Sequence, residues 1–288
     1  MPFTERLGSR STRRFAIALA APALALAGLV LTAAAAGQAP DPVADLLSEH
    51  RWLIEGAGDD LSGPGLDFLV REGAASELFL IGESHNTDEI PRLTSRLAVE
   101  LRAHGYGALA IETGPLTAEW MVADLRAGGI EQLNATLTAF PFTVPFFDRV
   151  PEAELLATSL RHGYEIWGLD QEFIGSGRYW LKRLERLAPT EAAGEVVASW
   201  FAREMEAAAH YQQTESTERL VLSSASPEEF EELATLFTDV PEGHAIVEAM
   251  AKSAHIYQLW RSANYANNRD RVLYMKRNLI ARLGEHGG

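Results

Sequence analysis

The sequence predicts an α/β fold, an open and mostly parallel sheet flanked by helices, with a large helical insertion or cap. Three observations predict it. First, three short apolar runs each end in an acid: Leu78-Phe79-Leu80-Ile81-Gly82 before Glu83, Ala108-Leu109-Ala110-Ile111 before Glu112, and Tyr164-Glu165-Ile166-Trp167-Gly168-Leu169 before Asp170. Runs that hardly alternate mark strands buried on both faces of a parallel sheet. Second, His104-Gly105-Tyr106 and His162-Gly163-Tyr164 approach the second and third runs alike, each as a helix end with glycine just beyond it. Third, strand signals vanish from about residue 177, where long amphipathic helical patterns take over.

Taken in chain order, residues 1–36 read as a signal peptide. Arg6, Arg10, Arg13 and Arg14 precede a charge-free, alanine-rich run from Phe15 to Ala36, and Ala34-Ala35-Ala36 supplies a small-x-small cleavage site. Export to a periplasmic or extracellular location follows from that reading. An uncleaved anchor is the alternative, because the run could just span a bilayer; contact with a membrane is expected only through this segment. The rest, 37–288, reads as a single α/β domain. Thr87 is placed to cap a helix with Asp88, Glu89 and Pro91 in its first turn, running to about His104. Residues 152–162 form the helix before the third strand. The helical cap covers about 177–265, and Ser226-Pro227-Glu228-Glu229 is its clearest helix start, a capping box with proline at the first helical position. A last helical pattern runs from about 242 to 283, with a break expected near Asn267-Asn268.

Composition bounds the function. With 47% hydrophobic and 23% charged residues the chain is globular, and its net charge of −15 repels phosphate backbones, so no nucleic-acid partner is expected. Setting aside the leader, with four arginines and one glutamate, leaves the body more acidic still. No cysteine is present, which excludes disulfides, thiolate metal sites and a cysteine nucleophile.

Ligands of open parallel sheets bind beyond the carboxyl ends of the strands. There Glu83, Glu112 and Asp170 would share one rim, with His85 reaching over it from the turn after the first strand. An acid at one strand end is an ordinary turn or cap residue, but three in register beside a histidine make a candidate general-base site. No nucleophile elbow, P-loop, zinc-protease helix or dinucleotide fingerprint is present.

These residues resemble a known family. Leu80-Ile81-Gly82-Glu83-Ser84-His85-Asn86-Thr87-Asp88-Glu89 is similar to the Gly-Glu-Ser-Thr-His-Gly-Thr-x-Glu motif of the erythromycin esterase family, part of a wider group with the Tiki/TraB proteases and ChaN-type haem-binding proteins. Leu109-Ala110-Ile111-Glu112 resembles the family's second acidic strand and Gly168-Leu169-Asp170-Gln171 its Gly-Phe-Asp-x-Gln. Arg271-Val272-Leu273-Tyr274-Met275-Lys276-Arg277-Asn278 is similar to its Arg-Asp-x-x-Met-x-x-Asn helix. The chain departs from the pattern in three places: one residue, not two, separates Glu83 from His85, Asn86 replaces a glycine, and Val272 replaces an acid.

The resemblance implies an exported hydrolase cleaving an ester, lactone or amide of a small-molecule substrate. It makes His85 the base that activates water, Glu83 and Glu112 its orienting carboxylates, and Arg92 or Arg96 the arginine that polarises the carbonyl. Arg271 and Asn278 would approach from the last helix. Two other readings stay open: a haem- or metal-binding protein without turnover, and a metal-dependent protease in which a divalent metal sits on His85 and the carboxylates. The resemblance also implies that relatives continue with further strands, so the chain is expected to lack them and to expose an apolar sheet edge. N-terminal sequencing of exported protein should place the mature terminus shortly after Ala36; a terminus still near Met1 would favour the anchor.

Overall fold

The computed structural model describes residues 42–56, 60–82, 84–262 and 264–286, so the leader and Glu83 lie outside the described residues. Two compact units divide the chain, 1–50 and 51–288. In the first, α1 spans Pro42–Glu49. The second holds α2 (Pro64–Ala74), α3 (Glu89–Leu101, prolonged by a 3-10 turn at Arg102–His104), β1 (Ala108–Ile111), α4 (Pro115–Ala139), α5 (Val150–Arg161) and β2 (Glu165–Gly168). It continues with α6 (Gly177–Leu187), α7 (Glu191–Thr214), α8 (Val221–Ser224), α9 (Pro227–Thr235), α10 (Pro241–Ser262) and α11 (Asn264–His286).

Helices account for 69% of the described structure. Among the described residues the only sheet has two strands, β1 and β2, paired in parallel from Ala108 opposite Glu165 to Ile111 opposite Gly168. The fold is therefore mostly helical, which corrects the predicted open α/β sheet. The discrepancy lies at the first apolar run. Residues 78–82 form no strand and join no ladder, and Leu78 and Leu80 remain 56% and 88% exposed. Phe79 instead packs on the cluster of Leu66, Leu97 and Leu101 between α2 and α3. Tyr106 ties that cluster down by donating its hydroxyl to the carbonyls of Gly73 and Ser76 at 3.0 and 2.9 Å. A run of apolar residues expresses a demand for burial, and here one side chain meets it against helices without any strand pairing.

The two strands are entered as their punctuation predicts. Gly105 and Gly163 take φ of 94° and 76°, a left-handed conformation that glycine adopts without a steric penalty. Helices α3 and α5 lie side by side and point the same way, because ties join them at both ends. Asp88, before α3, pairs with Arg149, before α5, at 2.9 Å, while Arg102 donates to the His162 carbonyl at 2.9 Å where the helices finish. Both helix ends feed the amino ends of the strands, so both helix starts lie toward the carboxyl ends. Thr87 is not the cap of α3: Asp88 holds that position, and the Thr87 hydroxyl donates to the Ser84 carbonyl at 2.8 Å.

Residues 177–262 form α6 to α10 and share one hydrophobic core with α4, α5 and the sheet, including Met121, Leu156, Leu181, Phe237 and Met250. Trp180 on α6 is buried, whereas Trp260 on α10 is exposed. The expected break at Asn267-Asn268 is not found: both residues lie inside α11, where Asn267 donates to the Ile256 carbonyl at 2.6 Å. Among the described residues no helix is long and apolar enough to cross a membrane. The capping box at α9 is complete, Ser226 accepting from the Glu229 amide and Glu229 from the Ser226 amide. Ser226→Ala should cost about 1 kcal/mol in urea unfolding, and a change within error would show that neighbours hold α9 without its cap.

Candidate functional site

At the carboxyl ends of β1 and β2 the backbone ladder runs on past the strands. Leu169 donates to the Ile111 carbonyl at 3.2 Å and Asp170 to the Thr113 carbonyl at 2.9 Å, which sets Glu112 and Asp170 side by side. Helix α11 then delivers Arg271 between them. Its Nε lies 3.0 and 3.1 Å from the two Asp170 oxygens, and its Nη2 bonds both Asp170 and Glu112. Asp170 foremost, then Glu112, holds the guanidinium above its ordinary range against the opposing effect of burial. Seven residues on, Asn278 donates to the Leu169 carbonyl at 2.7 Å, a second polar anchor of the same helix on the same rim. Asp170 is 8% exposed, whereas Glu112 and Arg271 keep about a third of their side-chain surface, 34% and 33%. A buried ion thus braces two ions that face solvent.

His85 lies on the exposed turn before α3, at the end of the molecule where the strands finish. Its imidazole stacks on the Phe146 ring, centroids 3.8 Å apart and planes within 5°. Phe146 takes φ of 66°, a left-handed value costly for a bulky side chain, and Asn86 takes φ of 64°, which asparagine tolerates. The loop before α5 is thus held in a strained conformation where the rings meet.

Of the other predicted residues, Arg96 pairs with Glu100 at 2.5 Å and donates to the Leu61 carbonyl at 3.4 Å. Arg92 is exposed on α3. The structure therefore brings Glu112, Asp170, Arg271 and Asn278 together, leaves Glu83 undescribed, and directs Arg96 toward the loop before α2. Among the described residues no three histidine or carboxylate side chains are grouped to hold a metal ion.

No protein-family model, no curated protein and no solved structure matches the chain. The site stands on its geometry alone.

Behind the rim lies a carboxyl the sequence reading did not single out. Glu172 is fully buried, and its side chain accepts from the Leu116 amide at 3.1 Å and from the Thr117 hydroxyl, capping α4 from another part of the chain. Its own amide donates to Ser253 on α10 at 2.9 Å. A Cβ on Gly114 would lie 2.2 Å from the Glu172 carboxyl carbon, so glycine at the helix start makes room for this cap. The signal was present as Gly114-Pro115, a helix start with no capping side chain of its own.

Burial pushes Glu172 up to about 7, and Glu204, whose Oε2 accepts from the Val221 amide at 2.7 Å, up to about 7 as well. A carboxyl bound to its proton more tightly in the fold than near 4.5 in the open chain favours folding below 4.5. That advantage is lost as pH rises toward 7. Urea unfolding should therefore show higher stability at pH 5 than at pH 8, with up to about 3 kcal/mol from each group. Glu172→Gln should flatten that slope, and an unchanged slope in the variant would mean that Glu172 is charged in the fold.

Proposed function

We propose that the protein is a hydrolase of the erythromycin esterase-like type, cleaving an ester, lactone or amide at the carboxyl rim of its small sheet. The observation that carries this reading is the one-third-exposed Arg271 held by Asp170 and Glu112. Among the described residues the Nη1 donors of Arg271 make no hydrogen bond, so they are available to a carbonyl oxygen that gains charge. Glu112 uses one carboxylate oxygen on Arg271 and keeps the other to orient a water.

In this reading His85 takes a proton from water as the hydroxide adds to the carbonyl carbon, and Arg271 stabilises the resulting oxyanion. Collapse breaks the bond to the leaving alcohol or amine, which receives the proton from His85, giving acid and alcohol or amine. Arg271 takes the polarising role considered for Arg92 and Arg96, because it stands on the rim with donors to spare. Asp170 and Asn278 fix α11 so that the guanidinium does not swing away.

The test is a screen of ester, lactone and amide substrates with the native protein and its variants. His85→Ala should lower turnover ~10²–10⁴-fold and leave stability within about a kcal/mol, because the side chain is exposed. Full activity of His85→Ala on a substrate the native protein hydrolyses would sink the mechanism.

A further inference from the structure

The inward side of helix α11 carries polar anchors among the partly buried Tyr274, Met275 and Leu279. Arg271, Asn278 and Asn267 point inward to bind backbone or carboxylate groups, and Arg282 reaches Glu119 at 2.8 Å. The opposite side is apolar: Val272, Leu273, Ile280 and Leu283 are 60%, 43%, 56% and 40% exposed, with Lys276 and Arg277 standing among them. A helix on a folded body normally buries its apolar stripe and shows its charges. Two aromatics near the end of α10 and the start of α11 are exposed as well, Trp260 at 58% and Tyr265 at 83%.

A groove of complementary character borders it. Between α9 and α10 a cavity of about 320 Å³ has an apolar floor that includes Phe230, Ala234, Val247 and Ala251, and a rim bearing Glu231 and Glu248. His255 also lines it, and its imidazole lies 3.3 Å from Asp270 of α11, three residues before Leu273. Groove and stripe therefore adjoin on one surface. The stretch from Val272 to Leu283 is ~16 Å long and the α10 wall from His244 to Gln258 ~21 Å, so the groove is long enough for the stripe.

We propose that this surface joins two copies of the chain about a two-fold axis, the α11 stripe of each seated in the α9–α10 groove of the other. Three arguments commit the occupant to a second copy. Lys276 and Arg277 make no ion pair among the described residues, while the groove rim offers carboxylates in a chain of net charge −15. Small alanines on the floor admit the branched side chains of Leu273 and Ile280. The adjacency of stripe and groove lets one rotation satisfy both contacts at once, as a closed two-fold interface requires. Direct pairing of two α11 stripes is disfavoured, because Lys276 and Arg277 sit near the stripe's middle and would oppose their own copies.

Sedimentation equilibrium on the full chain at ~1–100 µM, a range in which ordinary interfaces associate, is the measurement. A mass approaching two chains is expected. Lys276→Glu with Arg277→Glu should weaken association about tenfold or more, and adding Glu231→Lys with Glu248→Lys to that same chain should restore it. Leu273→Ala and Ile280→Ala, mild changes at exposed positions, should weaken it too, with far-UV circular dichroism verifying the fold. The proposal is overturned by a monomer across the range, by a dimer indifferent to these changes, or by failure of the groove reversal to rescue. Binding of a monomer to phosphatidylglycerol vesicles, lost with the stripe substitutions, would overturn it as well and assign the stripe to a lipid surface.

Discussion

The bridging of Glu112 and Asp170 by Arg271 is the contact on which the upper end of the structure depends. Two carboxylates set side by side by a parallel ladder repel one another, and at an almost buried Asp170 that repulsion is poorly screened. One guanidinium relieves both, and since it comes from α11 this helix must turn Arg271 and Asn278 inward beside Tyr274 and Met275. The exposed apolar stripe of α11 is the other half of the same arrangement. Truncating one partner of such a group leaves an uncompensated charge, so the three residues act as a unit.

Below that rim, geometry is set by ties at the ends of elements. The Asp88–Arg149 and Arg102–His162 contacts hold α3 and α5 in one direction, and left-handed glycines at 105 and 163 turn each chain segment toward its strand. Glu172 does for α4 what a local cap would otherwise do, and its hold on Leu116 and Thr117, with Ser253 behind it, joins the turn after β1 to α10. Gly114 is required there for space, since a side chain would fall on the carboxyl group.

How far all this was legible in the sequence differs by element. β1 and the glycine turns were readable because apolar runs and C-terminal glycines are local signals, and the capping box of α9 was readable for the same reason. The first run, 78–82, misled because periodicity reports a need for burial and cannot report which neighbour supplies it. That single misassignment turned a mostly helical fold into an α/β sheet. At the site, Glu112 and Asp170 could be placed at equivalent strand ends, and Arg271 and Asn278 were named through a resemblance in the last helix. Their meeting at the rim is long-range and left no trace in spacing. Glu172 was missed because a cap donated from another segment looks, in sequence, like an absent cap, and Phe146 because nothing local says that a phenyl ring will lie under an imidazole.

Charge gives the site its character. Arg271 brings one positive charge against two carboxylates, so these three groups stay net negative, and they belong to a chain of net charge −15. For the proposed hydrolase, such a field would disfavour phosphorylated and carboxylated substrates relative to neutral or cationic ones. The remaining Nη1 donors offer directed hydrogen bonds without surplus charge, suited to an oxygen that becomes anionic only during reaction. Phe146, held in a left-handed conformation beside His85, adds the other ingredient: strain of about 1–3 kcal/mol persists only where the surrounding structure over-determines it. In the proposed reaction that strain has a use, because an exposed imidazole free to rotate would sample many directions, and the stack on Phe146 restricts it to one plane.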